Sequence, residues 1–346
     1  MPWPARFDGR LLRLQELRLL LALGIIGLAV ALREPRFLGA ANLEQVALSA
    51  TLVCIVAVGE ALVIIARQVD LSVGAIVATS AFVSAEWLER NPEGSLVFVL
   101  LIGCGVGLAM GAGNALLVAL FRIPAIIATL GTLAIYRGGV IVYAGGRQIS
   151  ATVLPDSYGH IADIHILGIP LLVWLATLLT IAVGAAARFT RTGRNLYSLG
   201  SNPEGARLAG INEPGHIALV FVLSGLLCGL VGVLWGARFG TVDAVLAPDL
   251  NLQAISAVVV GGVSIFGGSG TVYGAAIGAV IFAVLQNGVQ LLGINQFWLQ
   301  AVVGTAILVT VFLYSFFARR TERIQREQRR SRPEPARLAA RPDAGI

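Results

Sequence analysis

The chain has 346 residues, of which 57% are hydrophobic and only 13% are charged, and its mean hydropathy is +0.83. Soluble globular domains carry about 25% charged residues, so a soluble fold is excluded. All 25 basic residues are arginine. The absence of lysine excludes a Walker A nucleotide site and Schiff-base chemistry within this chain. The composition therefore predicts an all-α integral membrane protein that does not hydrolyse ATP itself.

Long apolar segments set the predicted architecture. A spanning helix needs about 20 apolar residues, because the hydrocarbon core is about 30 Å thick. This length predicts about ten transmembrane helices, at residues 18–32, 43–66, 71–88, 96–120, 124–145, 166–187, 217–237, 250–266, 271–292 and 297–317. The third and eighth segments are short and rich in Gly and Ser. We expect short or broken helices there, which membranes tolerate where protein or water surrounds them.

The arginines predict the orientation of the chain, because cytoplasmic loops carry an excess of basic residues. A cytoplasmic N-terminus followed by ten crossings places 19 arginines inside and six outside. Both termini are therefore expected in the cytoplasm, on either side of a transmembrane permease domain at 18–317. The flanking parts are a cytoplasmic segment at 1–17 and a tail at 318–346, whose Arg, Glu and Pro content predicts disorder. Loop 146–165 faces outward, and loop 188–216 faces the cytoplasm.

The cytoplasmic loop 188–216 contains a short helix with clear end signals. Asn202 is suited to cap its N-terminus and Pro203 to occupy its first position. Glu204 lies in the first turn, where the helix dipole favours an acid, and Gly210 is suited to a left-handed C-terminal cap. Such a helix can dock on a partner protein. The same pattern is also typical of an ordinary connector, and spacing alone does not decide between the two.

Several stretches of the chain share motifs with one known family: residues 204–210 (EGARLAG), 70–74 (DLSVG), 123–132 (IPAIIATLGT), 257–262 (AVVVGG) and 267–270 (GGSG). Residues 204–210 are similar to the Glu-Ala-Ala…Gly element of importer permeases, with Gly205 in place of the first Ala. In the right order between about residues 40 and 317, these stretches resemble the ribose-type (carbohydrate uptake) permeases of ABC importers. Residues 67–70 (RQVD) look more like the rhamnose or autoinducer-2 branch.

The resemblance implies a permease subunit that forms the translocation path for a monosaccharide in the bacterial inner membrane. It implies three protein partners: a separate ATP-binding cassette ATPase, an extracytoplasmic solute-binding protein, and a second permease chain, identical or related. Membrane lipids surround the subunit, and neither a cofactor nor nucleic acid is expected. In that family the Glu…Gly element is the coupling helix that docks on the ATPase. We therefore expect coupling to involve the loop residues Gly193, Arg194, Glu204, Ala206, Arg207 and Gly210.

Ionisable side chains inside apolar segments are the first candidates for the translocation path. Glu60 lies about 9 Å inside the second segment by helical rise, where such groups cost roughly 2.5–3.5 kcal/mol. It either accepts hydrogen bonds from sugar hydroxyls or makes a structural bond to a neighbouring helix. Asp70 and Ser72 are both suited to cap a helix that begins near Val73. Asp70 is then either a hinge beside the path or an N-cap with a local ion pair to Arg67.

Side-chain amides form a second set of candidates. Asn114, Gln253 and Asn287 lie in apolar segments, and Gln286 and Gln290 accompany them. Amides offer both donors and acceptors and therefore suit polyol ligands. They equally suit hydrogen bonds between membrane helices, worth about 0.6 kcal/mol each. As a set they favour a polar lining, although for each residue by itself the interhelical role is the simpler explanation.

The remaining features exclude other chemistry. Gly270, Gly274 and Gly278 form a small-residue stripe that predicts close helix packing. The cysteines lie in apolar segments and suggest no disulfide framework. His160 and His165 lie in a loop without metal-ligand spacing, and no nucleophile–base set is present, so no enzyme is predicted. Two alternatives stay open: an ABC permease for a branched-chain amino acid or nucleoside, and an ion-coupled secondary transporter, for which clustered carboxylates are expected.

Overall fold

The computed structural model describes residues 9–295 and the isolated helical positions 298, 301, 304 and 305. These residues form twelve α-helices and one short β-hairpin. The helices are α1 (Gly9–Arg33), α2 (Ala40–Ile65), α3 (Val73–Arg90), α4 (Leu96–Ala115), α5 (Ala125–Ala144), α6 (Asp156–Asp163), α7 (Leu171–Phe189), α8 (Arg191–Ser201), α9 (Pro203–Leu208), α10 (Glu213–Phe239), α11 (Leu250–Val260) and α12 (Val272–Leu291). The hairpin pairs β1 (His165–Ile166) with β2 (Ile169–Pro170). Almost all of the predicted segment 297–317 lies outside the described residues, and so does the whole of the tail 318–346.

Six helices in the described part of the chain are long and apolar enough to cross a membrane: α2, α4 with its π-helical extension to Leu120, α5, α7, α10 and α12. Their bounds agree with six of the predicted segments, and the helical membrane architecture is confirmed. The predicted eighth segment is helical only over the 11 residues of α11. Such a helix is about 16 Å long, too short to cross the hydrocarbon core.

Helix α2 lies at the centre of the fold. Its side chains from Ala50 to Ile65 are all buried. Helices α7, α10, α11 and α12 pack around it, and α10 also packs on α3 and α4. A helix that is apolar on every side and contacted on every side is typical of the centre of a membrane bundle. The polar groups that α2 carries are therefore held away from lipid.

Glycines allow α4 and α10 to approach closely. Gly107 and Gly111 of α4 face Gly225 and Gly229 of α10, and a Cβ atom at Gly225 would lie only 2.7 Å from the Cα atom of Gly111. Membrane helices gain little from hydrophobic association in lipid, so close backbone contact supplies much of their packing energy. This contact was not predicted from the sequence.

The predicted stripe of glycines on α12 also serves packing. Gly274 and Gly278 lie against Ala257 and Gly261 of α11, with no room for a side chain between the two backbones. Gly270 precedes the helix with φ +110°, a conformation that side chains rarely adopt. The close helix packing predicted for this stripe is therefore present within the bundle.

The loops gather at the two ends of α2. At one end Asn42 and Asn287 exchange side-chain hydrogen bonds of 2.8 and 3.0 Å, so the end of α12 lies beside the start of α2. At the other end Gly268 N–H donates to Ile65 O at 2.9 Å, so the turn before α12 lies beside the end of α2. This separation agrees with the predicted alternation of the loops. The assignment of one end to the cytoplasm stays a prediction.

Candidate functional site

The loop predicted to be cytoplasmic folds into two consecutive helices, α8 and α9. Thr190 caps α8, since its Oγ1 accepts a hydrogen bond from Gly193 N–H at 3.0 Å. Asn202 caps α9 in the same way and accepts from Gly205 N–H at 3.0 Å. Pro203 is the first residue of α9, where a missing N–H costs nothing. The capped helix predicted from the sequence is present.

The C-terminus of α9 is closed by a Schellman motif. Gly210 N–H donates to Arg207 O, and Ile211 N–H donates to Ala206 O, both at 3.0 Å. Gly210 has φ +77°, the left-handed conformation that this motif needs. Arg207 Nε also pairs with Glu213 Oε2 at 3.2 Å, which ties α9 to the first turn of α10. The segment is therefore a defined protrusion rather than a loose connector.

One face of α9 is buried and the other is exposed. Ala206 is only 4% exposed, whereas Leu208 is 91% exposed and Glu204 and Arg207 are also exposed. Leu208 was not among the predicted coupling residues. The spacing indicates this exposure, because residues two positions apart in an α-helix are separated by about 200° around the helix axis. A leucine two residues after a buried alanine therefore points away from the protein.

Two of the predicted coupling residues anchor the loop to the end of α7. Gly193 is buried, and a Cβ atom there would lie 2.5 Å from Ala187 Cα. Arg194 is exposed and donates from Nη1 to Phe189 O at 2.9 Å, which satisfies a carbonyl at the end of α7. Both residues therefore fix the turn between α7 and α8.

Helix α8 rests on the end of the bundle. Tyr197 Oη donates to Gly270 O at 3.0 Å. A Cβ atom at Gly200 would lie 3.0 Å from Gly268 Cα and would also clash with Ile65 O, so the backbones touch there directly. Behind α9 a cavity of about 430 Å³ separates it from the turn between α4 and α5. Its polar lining comes from Gln68, Arg122, Arg207, Asn212 and Glu213.

Four of the predicted path residues meet in one buried cluster. Glu60 of α2, Asp70 and Ser72 of the turn before α3, and Asn114 of α4 are all 0% exposed. Glu60 Oε1 accepts from Asp70 N–H at 3.0 Å. Asp70 Oδ1 accepts from Ser72 N–H at 2.9 Å and from Ser72 Oγ at 2.6 Å. The cluster therefore joins the end of α2 to the start of α3.

Asn114 brings α4 into the same cluster. Its Nδ2 donates to Ser72 Oγ at 2.7 Å and to Asp70 Oδ2 at 3.2 Å. Glu60 Oε2 and Asn114 Oδ1 are buried without a hydrogen-bond partner among the described residues. The ion pair considered between Asp70 and Arg67 is not formed within that part of the chain, since Asp70 points inward. In this conformation the cluster lies in the interior of the protein rather than on an open channel.

The other two candidates lie elsewhere. Asn287 is bonded to Asn42 across α12 and α2, the interhelical role that its amide equally suits. Gln253 lies half-buried on α11. The structure therefore brings Glu60, Asp70, Ser72 and Asn114 together and leaves these two apart.

The end of the bundle predicted to face outward carries three charged contacts that the sequence did not predict. Glu86 of α3 pairs with Arg90 at 2.7 Å and also with Arg147 beyond α5. His165 Nε2 lies 3.1 Å from Glu44 Oε1, and hydrogen bonds to the Asp163 backbone and to Glu44 raise the pKa of His165. Among the described residues no group of three or more His, Cys, Asp or Glu side chains is placed to hold a metal ion.

Comparison with known proteins gives a consistent family. Residues 42–312 match the family described as branched-chain amino acid transport system / permease component. The autoinducer 2 import system permease protein LsrC of Klebsiella pneumoniae is 31% identical over 325 residues, covering 94% of this chain and 93% of that protein. The ribose import permease protein RbsC of Escherichia coli strain K12 is 33% identical over 302 residues, covering 87% and 94%. No solved structure matches the chain.

Proposed function

We propose that this chain, which belongs to the branched-chain amino acid transport system / permease component family of ABC importer permeases, forms the translocation path for a monosaccharide. The observation that carries the proposal is the near full-length similarity to ribose and autoinducer 2 import permeases. As in those relatives, the chain is a multi-pass transport subunit and not an enzyme. Other subunits deliver the sugar and supply the energy for its transport.

The buried cluster supports a sugar over an amino acid. A zwitterionic amino acid needs a cation for its carboxylate. The cluster of Glu60, Asp70, Ser72 and Asn114 contains hydrogen-bonding groups, and no guanidinium of the described residues is among its partners. Hydroxyl, amide and carboxylate groups are the partners that sugar hydroxyls use. The cluster is closed in this conformation, so its contact with substrate requires an alternate state of the permease.

The α8–α9 segment is our proposed docking site for the ATP-binding cassette ATPase. Motion of a separate ATPase reaches the membrane only through a segment that keeps its shape under load. The capped α9, its Schellman motif and its ion pair to α10 provide that shape. The exposed Leu208 gives the protrusion an apolar tip, with Glu204 and Arg207 as its charged rim.

The remaining assignments follow from this placement. If the ATPase contacts α9, this end of the bundle is cytoplasmic, in agreement with the arginine distribution. Ten crossings then place both termini in the cytoplasm. A solute-binding protein then contacts the opposite end, which contains residues 146–165. A second permease chain, identical or related, completes the path in the bacterial inner membrane.

Copurification of the ATPase with the permease tests the docking site. Leu208→Asp removes an apolar contact worth about 1.5–3 kcal/mol when buried, so ATPase retention is expected to fall at least tenfold. Leu167→Asp is a matched control, because Leu167 is 88% exposed in the hairpin at the opposite end. Glu204→Arg combined with Gly210→Trp is expected to abolish sugar uptake while the protein still inserts. Full ATPase retention in both α9 variants contradicts the proposal.

A further inference from the structure

A deep cleft opens between α1 and α7, with α2 and α12 as its floor. Its volume is about 730 Å³. Apolar side chains such as Leu20, Val46, Ile181, Ile277 and Val280 form most of its lining. The cleft runs beside helices that are long and apolar enough to cross a membrane, so its contents come from the bilayer.

The threonine hydroxyls in this cleft are already satisfied. The hydroxyls of Thr51, Thr177 and Thr180 donate to the carbonyls four residues earlier in their own helices, at 2.8–2.9 Å. Cys54 lies 3.6 Å from the Thr180 hydroxyl. These side chains therefore need no hydrogen bonds from a ligand, and the cleft suits a hydrocarbon chain.

The length of the cleft matches one leaflet of a bilayer. It extends along α12 from Tyr273 to Val284, which is about 16 Å by helical rise. The full hydrocarbon core is about 30 Å thick. A chain that enters beside Tyr273 therefore ends near the middle of the membrane, as an acyl chain does.

A second, basic cavity adjoins the Tyr273 end of the cleft. Its volume is about 240 Å³, and Arg188, Arg194, Tyr197 and Thr271 contribute to its lining. Tyr273 lines both cavities, so they are neighbours. Arg188 is the penultimate residue of the apolar helix α7, and it makes no salt bridge to a carboxylate in the described part of the chain. Glu16 also lies at this end, and its carboxylate accepts a hydrogen bond from Thr271 Oγ1 at 3.4 Å. The two arginines exceed this single negative charge.

We propose that the two cavities together bind one anionic phospholipid, with its phosphate at Arg188 and Arg194 and an acyl chain in the cleft between α1 and α7. Basic pockets between helices on the cytoplasmic side of a membrane suit such headgroups. The predicted orientation puts this end in the cytoplasmic leaflet. Because Arg194 also holds the turn into α8, the lipid headgroup contacts the base of the α8–α9 segment.

The chain's own predicted tenth span is the other occupant to consider, and its sequence disfavours it. Residues 297–317 contain no acidic side chain, and Arg319 and Arg320 follow directly. With its cytoplasmic end beside Arg188 and Arg194, that segment would bring four arginines together. A phosphate instead supplies the missing negative charge.

Native mass spectrometry of the purified full-length chain tests the proposal by counting retained lipids. Wild-type protein is expected to retain phosphatidylglycerol more strongly than phosphatidylcholine. Arg188→Gln should lower phosphatidylglycerol retention by about fivefold, the effect of one basic residue near an anionic surface. Arg191→Gln is the matched control, since Arg191 is exposed three residues away and lines neither cavity. Equal retention of both lipids, or equal loss in both variants, overturns the proposal.

Three further arms identify the occupant. Ala276→Phe fills the cleft and should release the lipid while the protein stays folded, and lipid retention in a folded Ala276→Phe protein overturns the acyl-chain assignment. Inorganic phosphate at the same concentration as the lipid should leave the lipid bound, because a free anion lacks the acyl chain. Displacement of the lipid by phosphate assigns the site to small anions and overturns the lipid proposal. A disulfide between Ala276→Cys and Val311→Cys, within one chain or between two copies, assigns the cleft to the tenth span and overturns the proposal as well.

Discussion

Exchanging the amide and the carboxylate of the buried cluster tests whether that cluster is a hydrogen-bonded joint. Asn114 donates to Asp70 Oδ2 at 3.2 Å, and Asp70 Oδ1 accepts two hydrogen bonds from Ser72. In Asn114→Asp two carboxylates face each other. In Asp70→Asn two amides face each other, and a donor is left without an acceptor. The double variant restores one amide and one carboxylate, and an asparagine at position 70 still accepts from Ser72.

The expected magnitude follows from the distance and the burial. Two full charges 3.2 Å apart repel each other by about 5 kcal/mol at an effective dielectric constant of 20. Proton uptake by one carboxyl relieves part of this repulsion. We therefore expect Asn114→Asp to lower the free energy of unfolding by about 3 kcal/mol, and Asp70→Asn by about 1–3 kcal/mol for the unpaired donor. The double variant should recover at least 2 kcal/mol of the summed loss, the coupling typical of directly bonded residues.

Unfolding by dodecyl sulfate in detergent micelles measures these free energies, and sugar uptake into intact cells provides the second readout. Recovery of both stability and uptake in the double variant makes the cluster a structural joint between α2, α3 and α4. Recovery of stability without uptake gives the Asp70 carboxylate a role in transport. A double variant whose loss of stability equals the sum of the two single losses refutes the hydrogen-bond assignment.

Three further predictions concern packing, the proposed docking helix α9 and pH. Gly225→Ala places a methyl group 2.7 Å from the backbone of α4 and should cost about 1–3 kcal/mol of unfolding free energy, whereas the control Gly131→Ala, with open space around it, should cost none. Gly210→Ala meets no atom but forces a left-handed alanine, so ATPase retention should fall by no more than about thirtyfold, the strain being about 1–2 kcal/mol. The raised pKa of His165 means that its contact with Glu44 stabilises the fold below the ordinary histidine pKa of about 6.5 and is lost as the pH rises through the raised value. Glu44→Gln should therefore lower the thermal midpoint relative to wild type in mildly acidic buffer and leave it unchanged in alkaline buffer.

The helix in loop 188–216 was predictable because its determinants are local. Capping requires one side chain within three residues of the N–H that it accepts, and the closing motif requires a glycine at one position. Asn202 and Gly210 satisfy both conditions in the sequence and do so in the structure. The apolar spans were predictable for a similar reason, since lipid imposes one length on every crossing.

The joint between Asp70 and Asn114 was not predictable from spacing. The two residues are 44 positions apart, and nothing local indicates that the end of α4 returns to the turn before α3. The close approach of α4 and α10 is hidden for the same reason, because glycines are frequent in both helices and only the three-dimensional pairing shows which ones touch. The sequence places Glu60 and Asn114 inside apolar segments, but the partners of these residues depend on the tertiary fold.

The contacts between α8 and the bundle link the proposed docking site to the buried cluster. Gly200 lies directly on the backbone at Ile65 and Gly268, and these two residues are themselves joined by a hydrogen bond of 2.9 Å. Close-packed interiors have low compressibility, and a backbone contact without an intervening side chain offers no rotamer to absorb a displacement. Ile65 is the last residue of α2, and Asp70 follows five positions later with its N–H bonded to Glu60. A force on α9 that moves α8 therefore has to move the end of α2 and the turn that contains Asp70. Because Asn114 is bonded to that turn, α4 must follow or the cluster must break.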